Sequence, residues 1–187
     1  MGRGYFGIGV EGISKAYNLG AVLRTAHAFD ASFAFTVNAA VDVHKTQTTD
    51  TSRSHTHLPL YEWESVDDMT LPKGCELIGI ELTEDAEDLP SFRHSLNCAY
   101  ILGPEKGSLS LAAQERCAAI VKIPTKFCIN VSLAAALTLY DRALCFGGYS
   151  GRPLLSHRAS RQRRKAAAAQ SRADNGGQSH QSVDDSH

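Results

Sequence analysis

Apolar residues along the chain fall into short runs that alternate with segments of helical periodicity. The predicted strands occupy residues 5–10, 32–37, 58–63, 76–82, 99–102 and 119–123. Most of these runs lack strict apolar–polar alternation, which is typical of strands that are buried on both faces. Strands that alternate with helices predict an α/β domain with a mostly parallel sheet.

Two helices are predicted between the strands. In the first, apolar residues recur at helical spacing after Asn18, at Leu19, Val22, Leu23, Ala26 and Phe29. Residues 110–116 predict a shorter helix with Ser110 as its N-cap. Two connecting segments read as surface loops: residues 41–57, which are rich in Thr, Ser and His, and the acidic residues 83–90.

The last predicted helix is apolar on nearly every side. Asn130 stands at its start, and only Ser132 and Thr138 are polar between Val131 and Tyr140. A helix without a polar face is typically buried, so we expect it inside the fold or at a subunit contact.

Charge and composition divide the chain near residue 151. Residues 1–151 carry 12 basic and 17 acidic side chains and form one predicted domain. Residues 152–187 carry seven basic and three acidic side chains, lack aromatics, and form a predicted disordered basic tail. Such a tail favours a polyanion such as RNA, although a tail that merely aids solubility has the same composition.

The five cysteines predict neither a disulfide framework nor a zinc site, because they are odd in number and form no C-x-x-C pair. His55 and His57 form only a weak candidate pair, so we predict no metal. There is no secretory signal and no apolar run long enough to cross a membrane. We therefore expect a soluble, cytoplasmic protein with reduced thiols.

Three polar clusters follow predicted strands. The first contains Asn18 and Arg24, the second is Gly103-Pro104-Glu105, and the third runs from Ile123 to Asn130. Taken alone, each is also typical of ordinary helix caps and turns. In parallel sheets, however, ligands bind beyond the carboxyl ends of the strands, where these clusters should meet.

The order and spacing of the clusters resemble three motifs of a known family. The first has the spacing N-x-G-x-x-x-R-x-x-x-x-F, the second is I-L-G-P-E, and the third is I-P followed by I-N-V-S-L-A-A-A. Over residues 5–149 they are similar to the SpoU (TrmH-like) branch of the SPOUT RNA methyltransferases. The resemblance implies methyl transfer from S-adenosylmethionine to a ribose 2′-hydroxyl of tRNA or, less favoured, rRNA. It also implies a C-terminal deep trefoil knot and a homodimer with shared active sites.

The resemblance also implies roles for individual residues. The implied cofactor-binding residues are Leu82, Leu102, Gly103, Ile123, Cys128, Ile129 and Asn130. Arg24 is placed at the ribose hydroxyl, from the partner subunit. A guanidinium stays protonated, so orienting the hydroxyl suits it better than acting as a base. Asn18 and Asn130 would position these groups, and Glu105 would fix its loop or orient an asparagine.

Some positions depart from the family pattern. Gly107 lies one place early in the second motif, Cys128 replaces Ser in a shortened third-motif loop, and Asp30 stands where Gly usually follows the Phe. These changes leave open a catalytically inactive relative that still binds RNA or the cofactor. An unrelated nucleotide-binding enzyme lacks support, because neither G-x-x-x-x-G-K-[ST] nor G-x-G-x-x-G follows a strand.

Overall fold

Helices separate only some of the strands, so the prediction that the two alternate throughout is wrong: among the described residues no α-helix lies between Val37 and Asn97. The structure, a computed structural model, describes residues 4–42 and 58–147. The strands are β1 (Tyr5–Glu11), β2 (Phe33–Val37), β3 (Leu60–Trp63), β4 (Glu76–Ile80), β5 (Glu87–Asp88), β6 (Asn97–Leu102) and β7 (Ala119–Lys122). The helices are α1 (Ala16–Ala28), α2 (Leu111–Arg116) and α3 (Val131–Phe146), and a 3₁₀ turn spans Leu89–Ser91.

The seven strands form one sheet in the order β3-β2-β1-β6-β4-β7-β5. Every pairing among these described strands is parallel, which confirms the predicted α/β fold class. Because all strands run the same way, their carboxyl ends lie at one edge of the sheet. The loops that follow β1, β4, β6 and β7 are therefore neighbours at that edge.

Four of the five strands inside the sheet, β1, β2, β4 and β6, are buried on both faces. Ile8, Tyr100 and Leu102 point towards the face covered by α1 and α3. Phe35 and Ile101, at intervening positions, pack on the other face with α2. The continuous apolar runs in the sequence follow from this burial, since neither face of β1, β2, β4 or β6 reaches solvent.

Helix α3 has one buried face and one exposed face. Its inward face includes Ala135, Thr138 and Leu139. Its outward face carries an apolar stripe, defined by Leu133, Leu137, Tyr140 and Leu144, which are 58, 43, 46 and 38% exposed. The expectation that this helix lies wholly inside the fold is therefore wrong, and the expectation of a subunit contact stays a prediction.

Two local predictions also need correction. The acidic segment 83–90 is not only a loop, because it contains β5, which pairs with β7 through Glu87 and Val121. Helix α1 begins at Ala16, two residues before Asn18, so Asn18 lies in its first turn.

Residues 43–57 of the predicted loop and the predicted tail at 152–187 lie outside the described residues. In the described ranges no helix is long and apolar enough to span a membrane.

Candidate active site

A cavity of about 330 Å³ opens at the carboxyl ends of β4, β6 and β7. It is lined by every residue implied as cofactor-binding: Leu82, Leu102, Gly103, Ile123, Cys128, Ile129 and Asn130. Asn18 and Glu105 also line it. The parallel sheet thus brings the three sequence clusters to one place, although they lie up to 112 residues apart.

A chain of hydrogen bonds joins the polar side chains of the cavity. Asn18 Nδ2 donates to Glu105 Oε1 at 3.0 Å, and Asn130 Nδ2 donates to Asn18 Oδ1 at 3.2 Å. Asn130 Oδ1 in turn accepts from the backbone N–H of Ser132 at 2.8 Å and from its hydroxyl at 2.6 Å. We call Glu105, Asn18, Asn130 and Ser132 the amide relay.

The two ends of the amide relay determine the orientation of both asparagines. The Glu105 carboxylate can only accept hydrogen bonds, so Asn18 must present its NH₂ group to it. The first backbone N–H groups of α3 can only donate, so Asn130 must present its oxygen to them as an N-cap. The remaining amide groups of Asn18 and Asn130 then match each other. Reversing either amide would oppose two donors or two acceptors.

Glu105 also replaces the missing cap of α1. The helix has no side-chain cap of its own at Lys15. Instead, Glu105 Oε1 accepts from the Lys15 N–H at 3.0 Å, and Oε2 accepts from the Ser14 N–H and hydroxyl at 3.1 and 3.0 Å. A carboxylate at this position satisfies unpaired N–H groups and opposes the positive end of the helix dipole. The second motif thereby fixes where α1 begins.

These hydrogen bonds lower the pKa of Glu105. Partial burial acts in the opposite direction and favours the neutral acid, but the bonds from Asn18 and Ser14 outweigh it. The carboxylate is therefore charged at neutral pH and fully engaged by donors. Glu105 is suited to positioning Asn18 and α1, and is not suited to accepting a proton.

Glu81, a second carboxylate beside the cavity, was missed in the sequence. It follows β4 directly, lines the cavity, and its Oε2 accepts from the Leu109 N–H at 2.8 Å. This bond holds the loop after β6 close over Gly103, where an added Cβ would lie 3.1 Å from the Leu109 nitrogen. The sequence feature that could have identified Glu81 is its position directly after a buried strand. Lys15 also lines the cavity, but no sequence feature distinguishes it from other surface lysines.

Two departures from the family pattern have local explanations. Gly107 adopts a φ of +99°, so in this chain the turn that requires glycine lies one residue early. Asp30 adopts a φ of +60° after the end of α1, where the Ala31 N–H bonds back to the Ala26 carbonyl. This C-terminal geometry favours glycine, and Asp is among the few other residues that tolerate it.

Arg24 does not line the cavity of its own chain. It lies on α1 in an exposed position, six residues after Asn18. The structure therefore brings together Asn18, Glu105 and Asn130 but not the fourth implied catalytic residue. Its placement in the active site of a second subunit stays a prediction.

A sequence profile identifies the family to which this chain belongs. The profile of the SpoU rRNA Methylase family matches residues 6–140, which includes all three motifs and every strand but the first residue of β1. The chain belongs to the SpoU rRNA methylase family. No curated protein sequence matches it.

Solved structures of methyltransferases share this fold. The SpoU methyltransferase AviRb from Streptomyces viridochromogenes, in complex with AdoMet, is 21% identical with a TM-score of 0.68, over 77% of this chain and 61% of its own. An AdoMet-bound rRNA methyltransferase from Sinorhizobium meliloti is 18% identical with a TM-score of 0.69, over 76% and 57%. The chain thus spans about three fifths of these two proteins.

A third similar structure is matched by this chain over its whole length. It was described for the 2-OH methylation of C/U34 on tRNA, and is 19% identical with a TM-score of 0.67. The match covers 79% of this SpoU chain and 100% of the other.

The amide relay predicts a pH-dependent effect of Glu105→Gln. At pH 7 the variant should be less stable by about 1 kcal/mol, the usual cost of losing a helix cap. The pKa of Glu105 in the folded state lies below the ordinary 4.5, so its stabilisation is complete above that pH. It is lost as the pH falls through the lower folded value. The difference between wild type and variant, measured by urea unfolding, should therefore shrink in acid.

Glu115→Gln is the matched control, because Glu115 lies exposed on α2. It should unfold like wild type at every pH. A stability difference for Glu105→Gln that stays constant from neutral pH into acid would contradict the proposed role of the charge.

Proposed function

We propose that this protein transfers a methyl group from S-adenosylmethionine to a ribose 2′-hydroxyl of RNA. The proposal rests on one observation: in a member of the SpoU family, residues of all three motifs line the same cavity. Two similar methyltransferase structures contain AdoMet. We further propose that the protein acts in the cytoplasm.

The cavity suits S-adenosylmethionine in size and chemistry. Its volume lies within the range of small-molecule sites, and Leu102, Ile123 and Ile129 supply apolar walls for an adenine ring. Backbone groups at Gly103 and Ile129 would supply donors and acceptors. When bound, the cofactor supplies the electrophilic methyl carbon, which leaves positioning and proton removal to the protein.

The amide relay would keep the cavity wall in its binding shape. Asn130 begins α3 and Asn18 lies in the first turn of α1, so their contact ties the third motif to the first. Glu105 ties the second motif to both. A wall held in this way needs little reorganisation when the cofactor and the ribose arrive.

Arg24 would act on the RNA from the neighbouring subunit. Its guanidinium remains protonated, so it would donate hydrogen bonds to the ribose hydroxyl and an adjacent phosphate. Those bonds would orient the hydroxyl and stabilise the oxyanion character that develops as its proton passes to solvent water.

A homodimer would cover the apolar stripe on α3. Four large apolar side chains exposed on one helix face are unusual for a monomeric surface and fit a subunit contact. Helix α1, which carries Arg24, packs beside α3, so a second copy seated on the stripe could bring its Arg24 to this cavity. The occupant we propose is therefore another copy of this chain.

We also propose the C-terminal trefoil knot of the SPOUT fold. Strand β7 lies beyond β4 in the sheet, yet the following helix α3 packs against α1 on the far side of β6. Residues 123–130 must cross back over the ends of β4 and β6 to connect them. This return path supports a threaded chain end.

We favour tRNA as the substrate. One similar structure was described for methylation on tRNA, and the match covers its whole length. Lys106 and Lys126 flank the cavity loops and could contact phosphates. The basic residues 152–187 would add non-specific attraction to RNA.

Cofactor binding should protect Cys128 from alkylation. Cys128 is exposed and lines the cavity, so a maleimide should react with it readily in the free protein. S-adenosylmethionine at about ten times its Kd should slow this reaction about tenfold. Mass spectrometry of tryptic peptides, in the presence of a metal chelator, measures the rate for each cysteine.

Cys145 is the internal control, because it is exposed but lies outside the cavity. Its rate should not respond to the cofactor. Cys75 and Cys117 should react slowly, since burial raises their pKa values to about 11 and about 12. Equal reaction of Cys128 with and without saturating S-adenosylmethionine would refute cofactor binding in this cavity.

Arg24→Ala should lower methyl transfer to RNA about a hundredfold or more, because a donor to the reacting hydroxyl is lost. Cofactor affinity, measured by calorimetry, should stay unchanged because Arg24 does not line its own cavity. Arg93→Ala, which removes another exposed arginine, should retain transfer. An Arg24→Ala variant with full activity would exclude the proposed role. A wild-type protein that binds the cofactor but methylates no RNA would instead indicate an inactive relative.

Leu137→Glu should convert a dimer into a monomer, because it places a charge in the middle of the apolar stripe. Sedimentation velocity measures the change, and methyl transfer should fall with it because Arg24 is then missing from the neighbouring site. Leu111→Glu is the matched control, since Leu111 is 76% exposed on α2, away from the stripe. A wild-type monomer, or a dimer that survives Leu137→Glu, would refute this interface.

A further inference from the structure

A second group of reactive side chains lies outside the cavity. Its members are His94, in the connection before β6, and Asp141 and Cys145, one turn apart on α3. One possible ligand atom from each of the three lies within 4.8 Å of the other two. We call these residues the His–Asp–Cys cluster. None of them lines the cavity or takes part in the amide relay.

The histidine of this cluster is held from both sides. His94 Nε2 lies 2.9 Å from Asp141 Oδ2, and Nδ1 lies 2.6 Å from the Tyr100 hydroxyl. The Tyr100 oxygen accepts a hydrogen bond from Arg142 Nη1 at 3.2 Å, so its own proton is available for His94 Nδ1. That arrangement assigns the imidazole proton to Nε2, the nitrogen that faces the other two members of the cluster.

This geometry matches the surroundings of histidines that bind metals. A metal-bound imidazole usually has its second nitrogen fixed by a hydrogen bond, which sets the ring orientation. Tyr100 already provides that bond on the nitrogen remote from the cluster. A cation on Nε2 would require the ring proton to move to Nδ1, which would then donate to the Tyr100 oxygen and keep that contact.

The donor set indicates which metal would bind. One imidazole nitrogen, one carboxylate oxygen and one thiolate sulfur are all common zinc ligands. Three protein ligands leave a fourth tetrahedral position for water. A metal ion could reach the cluster from solvent, because Asp141 is partly exposed and Cys145 is exposed. The His94 side chain forms the buried side of the cluster.

We propose that His94, Asp141 and Cys145 form a zinc site that fastens α3 to the segment before β6. The sequence predicted no metal, because the three residues form no spaced motif and His94 is 47 residues from Asp141. Only the fold brings them together. The proposal does not depend on the methyltransferase activity.

Cobalt is the most direct probe of this site. The full-length protein, treated with a chelator and a reductant, is titrated with Co²⁺ while its near-ultraviolet absorption is recorded. One equivalent should produce a thiolate-to-cobalt charge-transfer band, and added Zn²⁺ should abolish it. Calorimetry with Zn²⁺ then gives the affinity.

Cys145→Ser should remove the charge-transfer band and weaken zinc binding by more than the ~10–100-fold that losing an outer hydrogen-bond partner costs. Cys145 is exposed, so the variant should fold normally, as circular dichroism will check. His94→Gln should have the same effect on the band. If that variant fails to fold, Cys145→Ser alone decides the question.

Two control variants separate this site from other thiols and imidazoles. Cys128→Ser removes a different exposed thiol and should keep the band. His55→Gln combined with His57→Gln removes the H-x-H pair in the sequence and should keep zinc affinity. The proposal is overturned if wild type shows no band, if the band survives Cys145→Ser, or if zinc binding depends on His55 and His57.

Discussion

The carboxylate of Glu105 joins three parts of the chain that are distant in sequence. It accepts from the backbone at the start of α1, from Asn18 within α1, and through Asn18 it reaches Asn130 at the start of α3. The carboxylate can only accept hydrogen bonds, and the first backbone N–H groups of α3 can only donate them. No other orientation of the two side-chain amides therefore satisfies all the groups. The walls of the cavity depend on this one acceptor, because it fixes two helix ends and the loop that carries it.

Helix α3 connects the separate features of the molecule. Its first residues and its cap line the cavity, its outward side carries the apolar stripe, and its last turns carry Asp141 and Cys145. A second subunit on the stripe and a metal at the C-terminal end would both restrict this helix. Any shift of α3 would move Asn130 and hence the cavity wall. The proposed assembly, metal binding and cofactor binding would thus be linked through this helix.

The sequence predicted the inner strands well, because an uninterrupted apolar run directly reflects burial on both faces. It also identified the residues of the cavity wall, since their motifs follow the strands whose ends meet. It did not predict β5, which has only two residues and no apolar pattern. The start of α1 was misplaced because its cap is Glu105, about 90 residues away.

Other features required the three-dimensional structure. Apolar composition alone could not tell whether α3 is buried in the core or against a second subunit, because both environments favour the same residues. The absence of Arg24 from the wall of its own cavity agrees with the role in a partner subunit that the resemblance implied, and that role stays a prediction. His94 and Asp141 meet only because β6 carries its preceding segment under α3.

We propose that this SpoU protein methylates a ribose hydroxyl of RNA. Mapping 2′-O-methyl groups in RNA from cells that lack the protein tests it most directly. We predict that a specific ribose in tRNA loses its methyl group and regains it with the wild-type protein but not with Arg24→Ala. An unchanged 2′-O-methyl map, or loss of a base methyl group instead, would contradict the account.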